Sequence, residues 1–283
     1  MKIVIRDKKK KEIFVALFQL LKNCSSSIYI KLEPTYLHIQ GMDKSHVCLF
    51  DIRLDVAWFS TYELSNQDVT ILCFDTSIFY SIISTKNENQ QLTILMNPDD
   101  ADNLYVDFDT MEDNAETTTT TTTKTNTKTK TKPETKKDFK KYFKIPLADD
   151  SDYGEMGIPE VEYDAEITLL SKDIADIFSQ LSNFGCDIEI HCLQESVHFM
   201  ATSITGEMRV DMNIDDLVSY GIVEDEEIRL TYSLDYLNKM CITNKLSEQV
   251  DLSVSKERPL KIEYDLGDSS RLLFFIASKI IDT

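Results

Sequence analysis

Cys186, His191, Cys192 and His198 fall within thirteen residues of one another, and their sulfur and imidazole atoms are the donors that a tetrahedral zinc site takes. The segment alternates apolar and polar residues as a hairpin does, which sends His191 and Cys192 to opposite faces. Asp99, Asp100 and Asp102 could form an acidic catalytic cluster, yet no base, nucleophile or glycine-rich phosphate cradle lies near them. The expectation is a solvated turn, no metal, no cofactor and no enzymatic activity. The remaining chemistry is charge. The formal net charge of -19 repels a phosphate backbone. Between Lys124 and Lys144, however, nine lysines stand against Glu134 and Asp138 alone. Any contact with nucleic acid must therefore come through segregated basic patches.

The elements that would position such patches repeat. The chain has 283 residues, 42% of them apolar, enough for two domains with a core each. At an offset of 160 residues, Phe14, Leu17, Phe18 and Leu21 correspond to Ile174, Ile177, Phe178 and Leu181, the spacing of one buried helical stripe. After each helix comes a predicted hairpin, with Ile28, Ile30, Leu37 and Ile39 matching Ile188, Ile190, Val197 and Phe199. A second amphipathic stretch follows in each half (Ile78, Phe79, Ile82 and Ile83; Tyr236, Leu237, Met240 and Cys241), then further strand pairs. The pattern predicts an α+β fold of two topologically similar domains, 1–147 and 165–283, joined by a polar connector at 148–164. The Thr- and Lys-rich run within 113–137 lacks apolar residues to order it and is expected to be a disordered loop. It could serve as a basic arm or be a tolerated insertion.

The cysteines are scattered without a CxxC pair, so free thiols in a reducing compartment are expected. No run approaches the ~18 apolar residues of a membrane span, and the N-terminus is charged where a secretory signal would be apolar. The reading is a soluble, intracellular protein that is not secreted and has no membrane partner.

The run Gly41-Met42-Asp43-Lys44-Ser45-His46-Val47-Cys48-Leu49 resembles the MDxSHVxL signature of the proliferating cell nuclear antigen family of DNA sliding clamps. So do Gly157-Ile158-Pro159-Glu160 with Glu162-Tyr163, Pro259-Leu260 with Ile262-Glu263-Tyr264, and Phe275-Ile276-Ala277-Ser278-Lys279-Ile280. Together these motifs span essentially the whole chain. The resemblance implies a clamp fold: a homotrimeric ring, closed head to tail, with helices lining the inside and sheets outside. It places the joining edge strands at 139–147 and 205–212, where Pro146 departs from the family by removing a backbone donor.

By the same resemblance, a pocket for a short partner motif is formed by Met42, His46, Val47, Leu49, Met156, Ile158, Pro159, Pro259, Phe275, Ile276, Ala277, Lys279 and Ile280. The implied partners are a DNA polymerase, a clamp loader and other replication and repair proteins carrying that motif. Duplex DNA would be held without sequence preference by Lys9, Lys10, Lys11, Lys22, Lys86, Lys172, Lys239 and Lys245. Phe18, Phe79, Ser179, Asp235 and Ile242 stand where many relatives carry a base, and Gln194 replaces a lysine that relatives modify. Two other readings stay open: a monomeric or heteromeric clamp-like adaptor that does not encircle DNA, and a metal-dependent nuclease. The A/T-biased composition suggests a large DNA virus or a protist, with a nuclear or cytoplasmic viral replication site.

Overall fold

The computed structural model describes residues 1–64, 70–110, 139–149, 153–241 and 244–279. Its first half runs β1 (Lys2–Ile5), α1 (Lys8–Cys24), β2 (Ser27–Leu32), β3 (Tyr36–Met42), β4 (Cys48–Asp55), β5 (Thr61–Glu63), β6 (Thr70–Asp75), α2 (Thr76–Ile83), β7 (Gln90–Asn97), β8 (Asp100–Thr110) and β9 (Lys141–Pro146). The second half repeats that order: β10 (Ala165–Leu170), α3 (Ser171–Leu181), β11 (Asp187–Cys192), β12 (Ser196–Ser203), β13 (Gly206–Asn213), β14 (Ser219–Ile222), β15 (Ile228–Ser233), α4 (Leu234–Met240), β16 (Gln249–Val254), β17 (Leu260–Gly267) and β18 (Ser270–Ile276). The expected Thr/Lys loop lies outside the described residues.

Local sequence explains the helices. Asp7 caps α1 by accepting from the Lys10 backbone N–H at 2.8 Å, and Asp75 caps α2 through Ile78 at 2.8 Å. The α1 stripe of Phe14, Leu17, Phe18 and Leu21 is buried, as are Ile174, Phe178 and Leu181 of α3, while Ile177 is half-buried. The Phe18 and Phe79 rings pack 4.6 Å apart, centroid to centroid, with Phe14 and Phe74 beside them. In α2 the stripe is narrower than expected: Ile78 is 51% exposed. The core side of this eight-residue helix is carried by Thr76, Phe79 and Ile83, and Ile78 sits off that stripe.

The sheet topology is built twice. In the first half β5-β1-β7-β8-β9 form a five-stranded sheet; in the second, β14-β10-β16-β17-β18 repeat that order. The other strands follow β4-β3-β2-β6 and β13-β12-β11-β15. Pairing of β18 with β4 fuses one unit of each half into a nine-stranded sheet. Among the described residues the equivalents of those two strands, β9 and β13, are edge strands. These are the segments expected to join subunits.

The residues that suggested metal chemistry are separated as alternation requires. Cys192 is buried, whereas His191 lies on the other face beside His198 and bonds Glu227 at 2.7 Å. The Asp100 carboxylate accepts from Lys144 Nζ at 2.7 Å, from Asn103 Nδ2 at 2.7 Å and from the Tyr105 hydroxyl, tying β8 to β9. Burial pushes the thiols of Cys24, Cys192 and Cys241 up to about 12.

Candidate partner groove and channel face

Register across β3, β4, β18 and β17 lays out the outer sheet face in rows. Met42 pairs with Leu49, which pairs with Phe275, then Lys261. Two residues along, Gln40 pairs with Asp51, Asp51 with Leu273, and Leu273 with Glu263. A third row holds His38, Arg53, Arg271 and Asp265. The connector crosses above these strands. Gln40 clamps it by accepting from the Met156 N–H at 2.7 Å and donating to the Met156 carbonyl at 2.9 Å. Lys31 holds Glu155 at 2.8 Å, and Lys261 lies 5.4 Å from the Tyr163 ring centroid.

On one side of the connector a cavity of about 290 Å³ opens, lined mostly by apolar side chains. Met42, His46, Val47, Leu49, Ile158, Pro159, Pro259, Phe275 and Ala277 converge on it. Gly157, Val161, Tyr163 and Arg258 also line it and were missed in the sequence. Val161 and Tyr163 could have been found as apolar side chains in a polar connector without a core of their own.

Three expected pocket residues lie elsewhere. Met156 turns to the polar side of the connector, because Gln40 fixes its backbone. Ile276 points into the core with Phe274 and is fully buried, since alternation along β18 sends it inward. Lys279 leaves the groove for the second half, its backbone N–H donating to Thr231 O at 2.8 Å and its ammonium pairing with Asp187. Ile280 lies outside the described residues.

The groove's near wall, the turn after β3, is organised by Asp43. Its carboxylate accepts from the backbone N–H groups of Ser45 (2.9 Å), Val47 (2.8 Å) and Cys48 (2.7 Å), and from the Tyr236 hydroxyl (2.8 Å). Burial opposes its ionisation, but these donors outweigh that cost and hold the carboxyl well below the usual carboxylate range. Tyr236 also meets Ser45 Oγ at 2.7 Å, so the turn is tied to α4 of the other half. His46 takes a positive φ of 58° to complete the turn.

The lysines expected to face DNA divide into groups. Lys9, Lys172 and Lys245 surround one hollow between the halves. Half-buried Lys86 feels the charge of Lys245; burial pulls it down, Glu12 opposes this, and Lys245 adds to it. Lys22 and Lys239 line a second hollow with Lys44, which was missed in the sequence. Lys22 Nζ stacks 4.1 Å from the Tyr80 ring centroid and Lys239 Nζ 5.3 Å from that of Tyr236. Lys10 is partly neutralised by Asp268 at 2.5 Å. Lys11 must be withdrawn from the set. It is fully buried and donates to the carbonyls of Glu88 (2.9 Å) and Gln90, closing the segment that follows α2.

Comparison with known proteins agrees with this architecture. Residues 7–128 match the family model described as proliferating cell nuclear antigen, N-terminal domain, and residues 157–279 match the C-terminal domain of the same family. A relative named proliferating cell nuclear antigen, from Chaetomium thermophilum, is 28% identical over 277 residues, covering 96% of this chain and 95% of that protein. The crystal structure of the proliferating cell nuclear antigen of Thermococcus kodakaraensis has the same fold, with a TM-score of 0.79 at 18% identity over 98% of this chain and 99% of that one. Matched in both halves by the models of one family, the chain belongs to the proliferating cell nuclear antigen family, the non-enzymatic DNA sliding clamps that serve replication as processivity factors.

Proposed function

We propose that the chain closes head to tail into a three-membered ring around duplex DNA and recruits replication and repair proteins through the apolar groove. The observation that carries the ring is the repeated topology. Within one chain β18 pairs with β4, and among the described residues their counterparts β9 and β13 are edge strands. A β9 edge meeting the β13 edge of another copy would reproduce the internal joint, and such a heterologous contact closes when its rotation fits. Exposed Phe139, Tyr142 and Ile204 beside those edges would be covered. Duplex DNA would pass the helices and meet Lys9, Lys22, Lys86, Lys172, Lys239 and Lys245 through its phosphates only, loosely and without sequence preference. Enclosure rather than affinity would keep the clamp on DNA.

The groove would take an aliphatic and aromatic plug from a DNA polymerase, a clamp loader or another partner, held by burial at ~25 cal/mol per Å². A fluorescent peptide carrying such a plug should bind the protein, and Ile158→Ser should weaken it about tenfold; equal affinity for both proteins would remove the groove assignment. The Thr/Lys run, whose residues lie outside those described, would add basic charge for approach to DNA. A nuclear site of action follows from the family reading.

A monomeric adaptor is the second reading, and one observation favours it. Leu147 donates to Asp102 O at 2.9 Å, so Ile145 faces β8 and Pro146 faces the free edge. Proline there removes a donor from the strand that would pair across copies.

A further inference from the structure

Arg53 and Arg271 stand directly opposite each other on β4 and β18, at the joint of the two halves, and both are exposed. Like charges in that relation repel across a sheet, yet among the described residues neither guanidinium has a carboxylate partner, in a chain with 49 acidic residues. Glu160 lines the same cavity as the two arginines and Asp265 stands opposite Arg271, but among the described residues neither forms an ion pair with an arginine, and the other nearby carboxylates have partners of their own. Asp51 is held by His38 at 2.6 Å and Gln40 at 3.0 Å, Glu263 by Lys261 at 3.2 Å, and Asp265 accepts from Gly267 N–H at 2.8 Å. Arg53 lies 3.7 Å from the Tyr36 ring centroid, which fixes its plane and leaves its fork free. The two arginines open onto a polar cavity of about 410 Å³ on the far side of the connector from the apolar groove. Buried His38 lines the same cavity; its Nδ1 makes no hydrogen bond and lies 3.9 Å from the Glu155 carboxylate.

We propose that Arg53 and Arg271 form an oxyanion seat for a partner peptide whose aromatic plug occupies the apolar groove. The seat takes a side-chain carboxylate or a phosphoryl group from the same peptide, a site that rests on the groove reading. Paired guanidinium groups recognise planar oxyanions through two parallel hydrogen bonds each, and a bound anion converts their repulsion into attraction. Leu49 and Phe275 of the groove lie four residues along the same strands from Arg53 and Arg271, about 13 Å at strand rise. An extended peptide passing over the connector spans that distance in about four to six residues. The chain carries a formal net charge of -19, so the seat rewards a short anionic element and rejects a long polyanion.

The test uses the full-length protein and three fluorescent peptides: a plug alone, a plug extended at either end by a Glu pair, and a plug extended by phosphoserine. The plug should bind wild type and an Arg53→Ala/Arg271→Ala variant equally. The Glu extension should gain about fivefold and the phosphoserine extension about twentyfold on wild type, and both gains should vanish in the variant. Inorganic phosphate should compete with the extensions and not with the plug. Removing two opposed, unpaired charges should leave the melting temperature unchanged or raised. Failure of the plug peptide to bind would overturn the groove reading itself. A plug that binds, with extensions that add nothing or add equally in the variant, would overturn the seat.

Discussion

The internal joint between β18 and β4 and the free edges β9 and β13 occupy equivalent places in the repeated topology, yet they differ in finish. In the joint, Phe274 faces Phe50, Leu272 faces Ile52 and Ile276 faces Cys48, all buried. Bonds across the seam reinforce it: Trp58 Nε1 donates to Leu266 O at 3.0 Å, Asp55 N–H to Ser270 Oγ at 2.9 Å, and Tyr236 to Asp43. On the free edges β9 buries only Ile145, and β13 alternates between half-buried and exposed residues. The internal joint is thus sealed by apolar contacts within one chain, whereas the edges keep exposed surface that a second copy would cover under the proposed ring.

Among the free edges, the largest effect expected from breaking that comparison is at β13. Ile214 N–H bonds Glu195 O, so the N–H of Arg209, an odd-numbered neighbour along the strand, faces the free edge. Arg209→Pro should leave the β12 ladder intact while weakening association between copies at least tenfold, about 1.4 kcal/mol per joint, read as a lower mass by sedimentation. An unchanged assembly would mean that β13 is not the joining edge.

At the internal joint, Asp43→Ala should lower stability by about 3 kcal/mol, because four donors lose their acceptor; calorimetry reads this. Asp43 is held below its ordinary value in the folded state. Its contribution is therefore full above the unfolded carboxyl value of about 3.9 and is lost as pH falls toward the folded value. Asp43→Asn should accordingly flatten the acid limb of the stability profile; parallel acid limbs in the two proteins would contradict the assignment. The smallest effect belongs to Pro146→Ala, which restores an outward donor and should tighten association about fivefold, or about 1 kcal/mol. No change would show that this end of β9 does not pair.

Much of this was readable in the residues. The helix stripes and hairpins follow from spacing, and the clamp signature marks the groove. Lys11 was misassigned although its position was legible: with Phe14 and Phe18 it falls on the buried stripe, at i, i+3 and i+7. Ile276 likewise follows the inward alternation of Leu272 and Phe274. Other features depend on register, which one strand cannot reveal. Arg53 and Arg271 are 218 positions apart in sequence and become neighbours only when β4 pairs with β18. Asp43 meets Tyr236 only once the halves have joined. Met156 was given to the groove by the family resemblance, and only the Gln40 clamp shows which way it turns.

The most direct test of head-to-tail closure is the solution mass at micromolar concentration. A ring built on the β9 and β13 edges predicts three times the 32.6 kDa chain, whereas a single chain at every concentration up to that range would contradict it.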